Sequence, residues 1–310
     1  MIKNIIIAIL LIIIAALAFD IRSTDNQAVS NAGSGNEVVV LSTFTIIADM
    51  VGEVGGDKVE SISLTKPGAE IHGYQPTPND LVQASKATVI FENGMNLELW
   101  TEKLRASIPD VPVITVSEGV EVITITSDAY AGQPNPHAWM SPEQGLMYVE
   151  NIRKALTEIL PEHAEYFAEK AVTYSAEITE VGHRLETALA TLPEDNRVLV
   201  TCEGAFSYLT KDYGLQEEYL WAINAEAQGS PQQVVRVIEV VRKKNIPAVF
   251  CESTVEPRLQ NEVAQATDAK LGGILFVDSL SDSDGPASTY LALLQHTADT
   301  IISGLTGAIE

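Results

Sequence analysis

The chain has 310 residues, 46% of them apolar and 20% charged, a composition that excludes disorder and supplies apolar material for two domains of ordinary size. Its net charge of −23 at pH 7 argues against nucleic acid or any other polyanion as a partner and favours attraction of cations.

Residues 1–18 join Lys3 to an apolar run ending Ala16-Leu17-Ala18, the layout of a signal peptide with a small-x-small cleavage site. The run of roughly 15 apolar residues is shorter than the roughly 20 that span a bilayer, so export is expected, with a retained anchor as the alternative. No cysteine lies near the cleavage site to take a lipid. Residues 19–36 are polar and rich in Gly and Ser, a flexible tether.

From 37 to 160 apolar strands alternate with helical segments, which predicts a parallel sheet with crossover helices. Strands are expected at Val38–Phe44, Lys58–Leu64, Ala87–Phe91 and Val111–Val116, with a further short one near Val122–Ile125. Helices are expected over Thr45–Val54, from Pro78, over Asn96–Ser107, and from Pro142 to about Leu160. Thr77-Pro78-Asn-Asp80 and Ser141-Pro142-Glu-Gln144 each read as a capping box with proline at the first helical position. Residues 161–192 carry Phe167, Ala171, Tyr174, Ile178, Val181, Leu185, Ala188 and Leu192 at spacings of three and four, one long helix expected to connect two lobes. A second alternating block fills 193–310. The fold class is therefore α/β, two lobes of parallel sheet and flanking helices joined by one long connecting helix.

His72 lies in the Gly/Pro-rich loop Lys66–Asp80 past a strand, and His137 repeats that placement in Ser127–Pro142. In the second block the residues past strand ends are acids: Glu203, Glu252 and Asp278. Ligands of open α/β sheets bind at carboxyl ends of strands, and two imidazoles with two carboxylates there would form a cation site in the cleft. Spacing alone is a moderate signal, because no compact motif such as His-Glu-x-x-His is present. Asp49, Glu226 and Glu252 are candidates for orienting the histidines, Trp139 for roofing the site, and Trp100 and Trp221 for core packing. His163, His183 and His296 read as surface or capping residues. Cys202 and Cys251 end apolar strands of an exported chain, so they are expected to form a disulfide coupled to the neighbouring Glu203.

The chain resembles, over about residues 37–306, the manganese- and zinc-specific solute-binding proteins of bacterial ABC importers. Pro67-Gly-Ala-Glu-Ile-His72-Gly-Tyr-Gln-Pro76 is close to that family's Gly-x-Asp-Pro-His-x-Tyr-x-Pro, and Asn135-Pro-His137-Ala-Trp139 to its Asp-Pro-His-x-Trp. Cys202-Glu203-Gly-Ala-Phe206-Ser-Tyr208, Trp221-Ala-Ile-Asn224-Ala-Glu226 and Phe276-Val-Asp278-Ser279 add to the likeness. The resemblance implies His72, His137, Glu203 and Asp278 as metal ligands, an ABC permease as partner, and no catalysed reaction. It implies manganese over zinc, because zinc-type members commonly carry histidine at the position of Glu203 and a His-rich acidic loop. An oxygen-rich site also suits hard manganese, with zinc the alternative and iron(II) a third cargo. Ile71 stands where the family usually has proline. The expected protein is a monomer, periplasmic or attached to the outer face of the inner membrane. A metallohydrolase is the rival from another class, although no general base is placed by motif; an adhesin is a third reading.

Overall fold

A computed structural model describes residues 38–224 and 229–307, so the expected signal peptide, the tether and Glu226 lie outside the described residues. Val38 to Phe91 builds the predicted alternation: β1 (Val39–Ser42), α1 (Thr45–Gly55), β2 (Glu60–Ser63), α2 (Pro78–Ala84) and β3 (Val89–Glu92). α3 (Thr101–Ser107) and β4 (Val113–Thr115) complete a parallel sheet of order β2-β1-β3-β4. The Thr77 box forms as expected, its hydroxyl accepting from Asp80 N–H and the Asp80 carboxylate from Thr77 N–H.

Three expectations fail locally. The helix expected from Asn96 starts only at Thr101, because Gly94, Met95 and Asn96 have φ of +80°, +50° and +65°, a left-handed run that no right-handed helix contains. The strand near 122–125 reduces to a single antiparallel bridge between Thr124 and Pro134. The Ser141 box does not form. Ser141 instead donates its hydroxyl to Asp212 Oδ2 at 2.6 Å and Gln144 its amide at 2.9 Å, a tertiary acceptor that wins over the local cap.

α4 (Pro142–Ile159) leads through a short 3₁₀ turn into α5 (Ala164–Leu189), whose 26 residues span about 39 Å. Gly182 does not break α5. A Cβ there would sit 2.4 Å from the Tyr213 hydroxyl, so the glycine admits a close neighbour. The buried stripe of α5, Phe167 to Leu189, packs into one core with Ile46 and Met50 of α1 and with Leu293 and Ile301 further along the chain.

The second lobe contains β5 (Val198–Glu203), α6 (Ser207–Asp212), β6 (Gln216–Trp221), α7 (Pro231–Lys244), β7 (Ala248–Glu252), α8 (Arg258–Ala266), β8 (Lys270–Leu275) and α9 (Tyr290–Thr306). Ser230 and Gln233 form a capping box at α7, and Asn245 ends it in a left-handed cap. Here the ladders pair β5 with β6 and β7 with β8, as two separate two-stranded parallel sheets. The seam between β5 and β7 is closed by side chains: the expected Cys202–Cys251 disulfide, with Cα atoms 4.9 Å apart, and Gln260 of α8, whose amide donates to the carbonyls of both Val200 (3.2 Å) and Phe250 (2.7 Å).

Candidate metal centre

The four side chains expected from the sequence meet between the lobes. His72 Nε2 lies 3.2 Å from His137 Nε2, and each imidazole nitrogen is 3.5–3.6 Å from Glu203 Oε1 and 3.8 Å from Asp278 Oδ1. Only His72 has exposed side-chain surface, 7%, against none for the other three. Glu203 Oε2 and Asp278 Oδ1 are buried without a hydrogen-bond partner. Carboxylate oxygens left bare in the interior are costly, and this donor set is one that a divalent cation satisfies. A second group, Cys202, Cys251 and Glu252, also clusters, but its sulfurs are consumed by the disulfide.

Each donor is aimed by neighbours. The Gly204 carbonyl can only accept and the His137 N–H can only donate, so Asn135 turns its Nδ2 to Gly204 O (2.7 Å) and its Oδ1 to His137 N (3.1 Å). Asn135 Oδ1 then accepts from His137 Nδ1 at 2.9 Å, which leaves the bare nitrogen, Nε2, facing the cluster. Glu70 accepts from the N–H groups of His72 (2.7 Å) and Gly73 (2.8 Å), and Trp100, whose ring lies edge-on to Tyr74, donates Nε1–H to Ile71 O at 3.0 Å. These clasps hold the His72 loop despite isoleucine in place of proline. Glu203 Oε1 accepts from Asn224 N–H at 2.6 Å, while Asn224 Nδ2 and the Thr254 hydroxyl donate to Asp278 Oδ2 at 3.4 and 3.3 Å. Trp221 Nε1–H fixes Asn224 Oδ1 at 2.7 Å, so Trp221 supports the site as well as packing in the core. Trp139 is fully buried, lies edge-on to His137 with centroids 5.2 Å apart, and donates to Val277 O at 3.0 Å, next to Asp278.

Two expected orienting acids do something else. Asp49 accepts from Tyr290 N–H at 2.8 Å, at the start of α9, and touches neither histidine. Glu252 accepts from Glu203 N–H at 3.1 Å, and burial, with the charge of Glu203, pushes its carboxyl well above the ordinary range. His296 is half-buried, with Nε2 2.9 Å from Ile274 O and its ring against Phe276, so it is a packed residue and not a surface one. His183 is exposed beside Glu186. His163 precedes α5 with its ring near Phe167.

Electrostatically the cluster is over-supplied with acid. Burial, then the Glu203 charge, pushes Asp278 up to about 7. Burial opposes charge on His72, but the Glu203 hydrogen bond and the Asp278 charge outweigh it and raise the imidazole to about 9. Burial and the neighbouring His72 push His137 well below its usual value. Without a metal, His72 therefore serves as the cluster's cation. Beside it opens a cavity of about 430 Å³, lined by His72, Met95, Ile125, Tyr130 and Ile223.

The family ZnuA, zinc-uptake complex component A, periplasmic, matches residues 40–304. The iron-binding protein YfeA of Yersinia pestis is 51% identical over 86% of this chain and 85% of that one. The manganese ABC transporter substrate-binding lipoprotein PsaA of Streptococcus anginosus is 32% identical over 89% and 92%. Among solved structures, the Mn-bound periplasmic metal-binding protein from Candidatus Liberibacter asiaticus aligns with a TM-score of 0.80 at 37% identity, covering 87% of this chain and all of that one. No helix among the described residues is long and apolar enough to cross a membrane.

Proposed function

This chain belongs to the ZnuA family of periplasmic metal-binding components of ABC importers, and from that premise we propose that it carries one divalent ion, Mn²⁺, on His72, His137, Glu203 and Asp278. It is a binding protein and not an enzyme, and it works with a membrane permease. The observation that carries the ligand reading is the convergence of four donor atoms, one of them the orphaned Asp278 Oδ1, with the second orphan, Glu203 Oε2, on the same carboxylate as another. Five of the six separations among these donor atoms are 3.2–3.8 Å, the spacing that ligands about 2.0–2.3 Å from one common metal ion would have.

Manganese is favoured by oxygen content. Glu203 Oε2 has no other partner and offers a further oxygen, and carboxylate-rich sites suit hard cations. Iron(II) is the second cargo, supported by the description of the 51% identical relative as iron-binding. Zinc stands above both in the Irving–Williams order, so tight zinc binding in vitro would not identify the natural cargo. Metal analysis of protein purified from its native compartment tests the cargo: iron or zinc at stoichiometric level would displace manganese. His72→Ala and Asp278→Ala variants test the ligands, and manganese binding at wild-type strength by both would overturn the assignment.

A further inference from the structure

Glu217 of β6 sits away from the metal cluster, on the wall of a cavity of about 510 Å³ lined also by Asn135, Gly204 and Ser207. We propose that Glu217 is a positioning residue for His137, acting through Ser207 and Asn135 along a one-way chain of hydrogen bonds that crosses from the second lobe to the first. The inference rests on the reading of His137 as a ligand.

The direction of the chain follows from what each group can donate. Glu217 uses both oxygens as acceptors, Oε1 from Phe206 N–H at 3.1 Å and Oε2 from the Ser207 hydroxyl at 2.5 Å. Ser207 has one proton, which Glu217 claims, so its oxygen lone pairs are left to accept from Asn135 Nδ2 at 3.0 Å. The other N–H of that amide goes to Gly204 O at 2.7 Å, and Asn135 Oδ1 meets the Nδ1 of His137 at 2.9 Å. Replace the carboxylate with a group that can also donate, and the Ser207 proton can turn toward the Asn135 amide, donor facing donor in a buried site. The Asn135 side chain then loses one of its two bonds to the second lobe, and the imidazole loses part of what aims it. Burial pushes the Glu217 carboxyl up to about 7, so the one-way direction belongs to its carboxylate form, above that pH. The competing explanation is that Glu217 only fastens the first turn of α6.

Four variants separate the two: Glu217→Gln, Ser207→Ala, Asn135→Ala and the Glu217→Gln/Asn135→Ala double, each loaded with Mn²⁺ and chased with a chelator, and each loaded with Co²⁺ for its visible ligand-field spectrum. Outer-shell partners of metal ligands are worth about 10–100-fold in affinity, so Asn135→Ala should release Mn²⁺ toward the upper end and Glu217→Gln about tenfold faster than wild type. Glu217→Gln and Ser207→Ala should also shift the Co²⁺ bands, and the double variant should release no faster than Asn135→Ala alone. A wild-type release rate in both Glu217→Gln and Ser207→Ala overturns the proposal, as does a Glu217→Gln factor that persists undiminished on top of Asn135→Ala. Should Glu217→Gln fail to fold, Ser207→Ala, which leaves the Phe206 bond in place, decides alone. His137→Ala is the control: Mn²⁺ binding at wild-type strength there sinks the ligand reading itself, a result distinct from silent Glu217.

Discussion

The two lobes have the same alternating plan and hold their sheets together differently. In the first, one ladder of backbone hydrogen bonds runs unbroken through β2-β1-β3-β4, and the histidines hang on loops beyond it, clasped by Glu70, Trp100 and Asn135. In the second, the ladder is interrupted between β5 and β7, and a disulfide and Gln260 close the gap. Glu203 is the last residue of β5 and takes its N–H partner, Glu252, from β7 across that gap. Glu203 is thus wired to a seam closed by side chains, the histidines to loops outside a seam made of backbone. Reduction of the disulfide should therefore act on Glu203 through the second lobe and leave the first-lobe ladder intact.

The largest effect should come from the cluster itself. If about 10–16 kcal/mol of binding at a four-ligand site is shared among its ligands, Asp278→Asn should cost about 2.5–4 kcal/mol of Mn²⁺ affinity by titration calorimetry. The same change removes one of several crowded buried carboxyls, so the metal-free protein should melt no lower than wild type; a large drop would mean that Asp278 holds the fold instead of the ion. Next comes the seam. Cys202→Ala/Cys251→Ala opens a link between residues 49 apart and should lower stability by about 2–4 kcal/mol in denaturant melts, with weaker Mn²⁺ binding alongside. Unchanged affinity in that variant would break the proposed wiring of Glu203 to the seam.

Proton competition is third. With His72 raised to about 9 and Asp278 to about 7, a bound ion must displace both protons, so Mn²⁺ affinity should climb steeply up to about pH 7, about tenfold per pH unit from there to about 9, and then level. In the metal-free protein the raised imidazole contributes stability that is full below about 6.5 and lost as pH rises through about 9, so its melting point should fall on the alkaline side. Calorimetry in buffers of different ionisation heat reads the released proton directly; none released at pH 7 would place the charge elsewhere. Gln260→Leu should follow at about 1–3 kcal/mol, because it strips a donor from two buried carbonyls, whereas Thr88→Ala in the first lobe, which loses only an exposed contact to Val39 N–H, should be close to neutral. The smallest effect should be on overall dimensions. One face of α5 is buried along the helix in the shared core, so solution scattering should show no large compaction when metal is added.

Much of this molecule was legible in the sequence because the signals were local. Alternation gave the parallel order of the first lobe, and Thr77 and Ser230 announced their helices through partners three residues away. Ser141 carried the same local signal and misled, because Asp212, 71 positions later, outbids the cap. The supports of the site were hidden for the same reason. Nothing near Asn135 indicates that its amide bridges to Gly204 and Ser207, and Trp100 and Trp221 look like core residues until their indole N–H groups are followed to Ile71 and Asn224. Left-handed geometry at Met95 and Asn96 was equally invisible, since neither residue demands it.

Exposure at the cluster is lopsided, and this gives ion exchange a route. Glu203, Asp278 and His137 have no surface, while His72 keeps 7% and borders the 430 Å³ cavity. On the proposed ligand set, His72 stands at the mouth of the cluster, so an ion entering or leaving passes it. A permease that pulls on the first-lobe loop, at Glu70 or Trp100, would draw back one imidazole and leave the rest of the cradle set for the next ion.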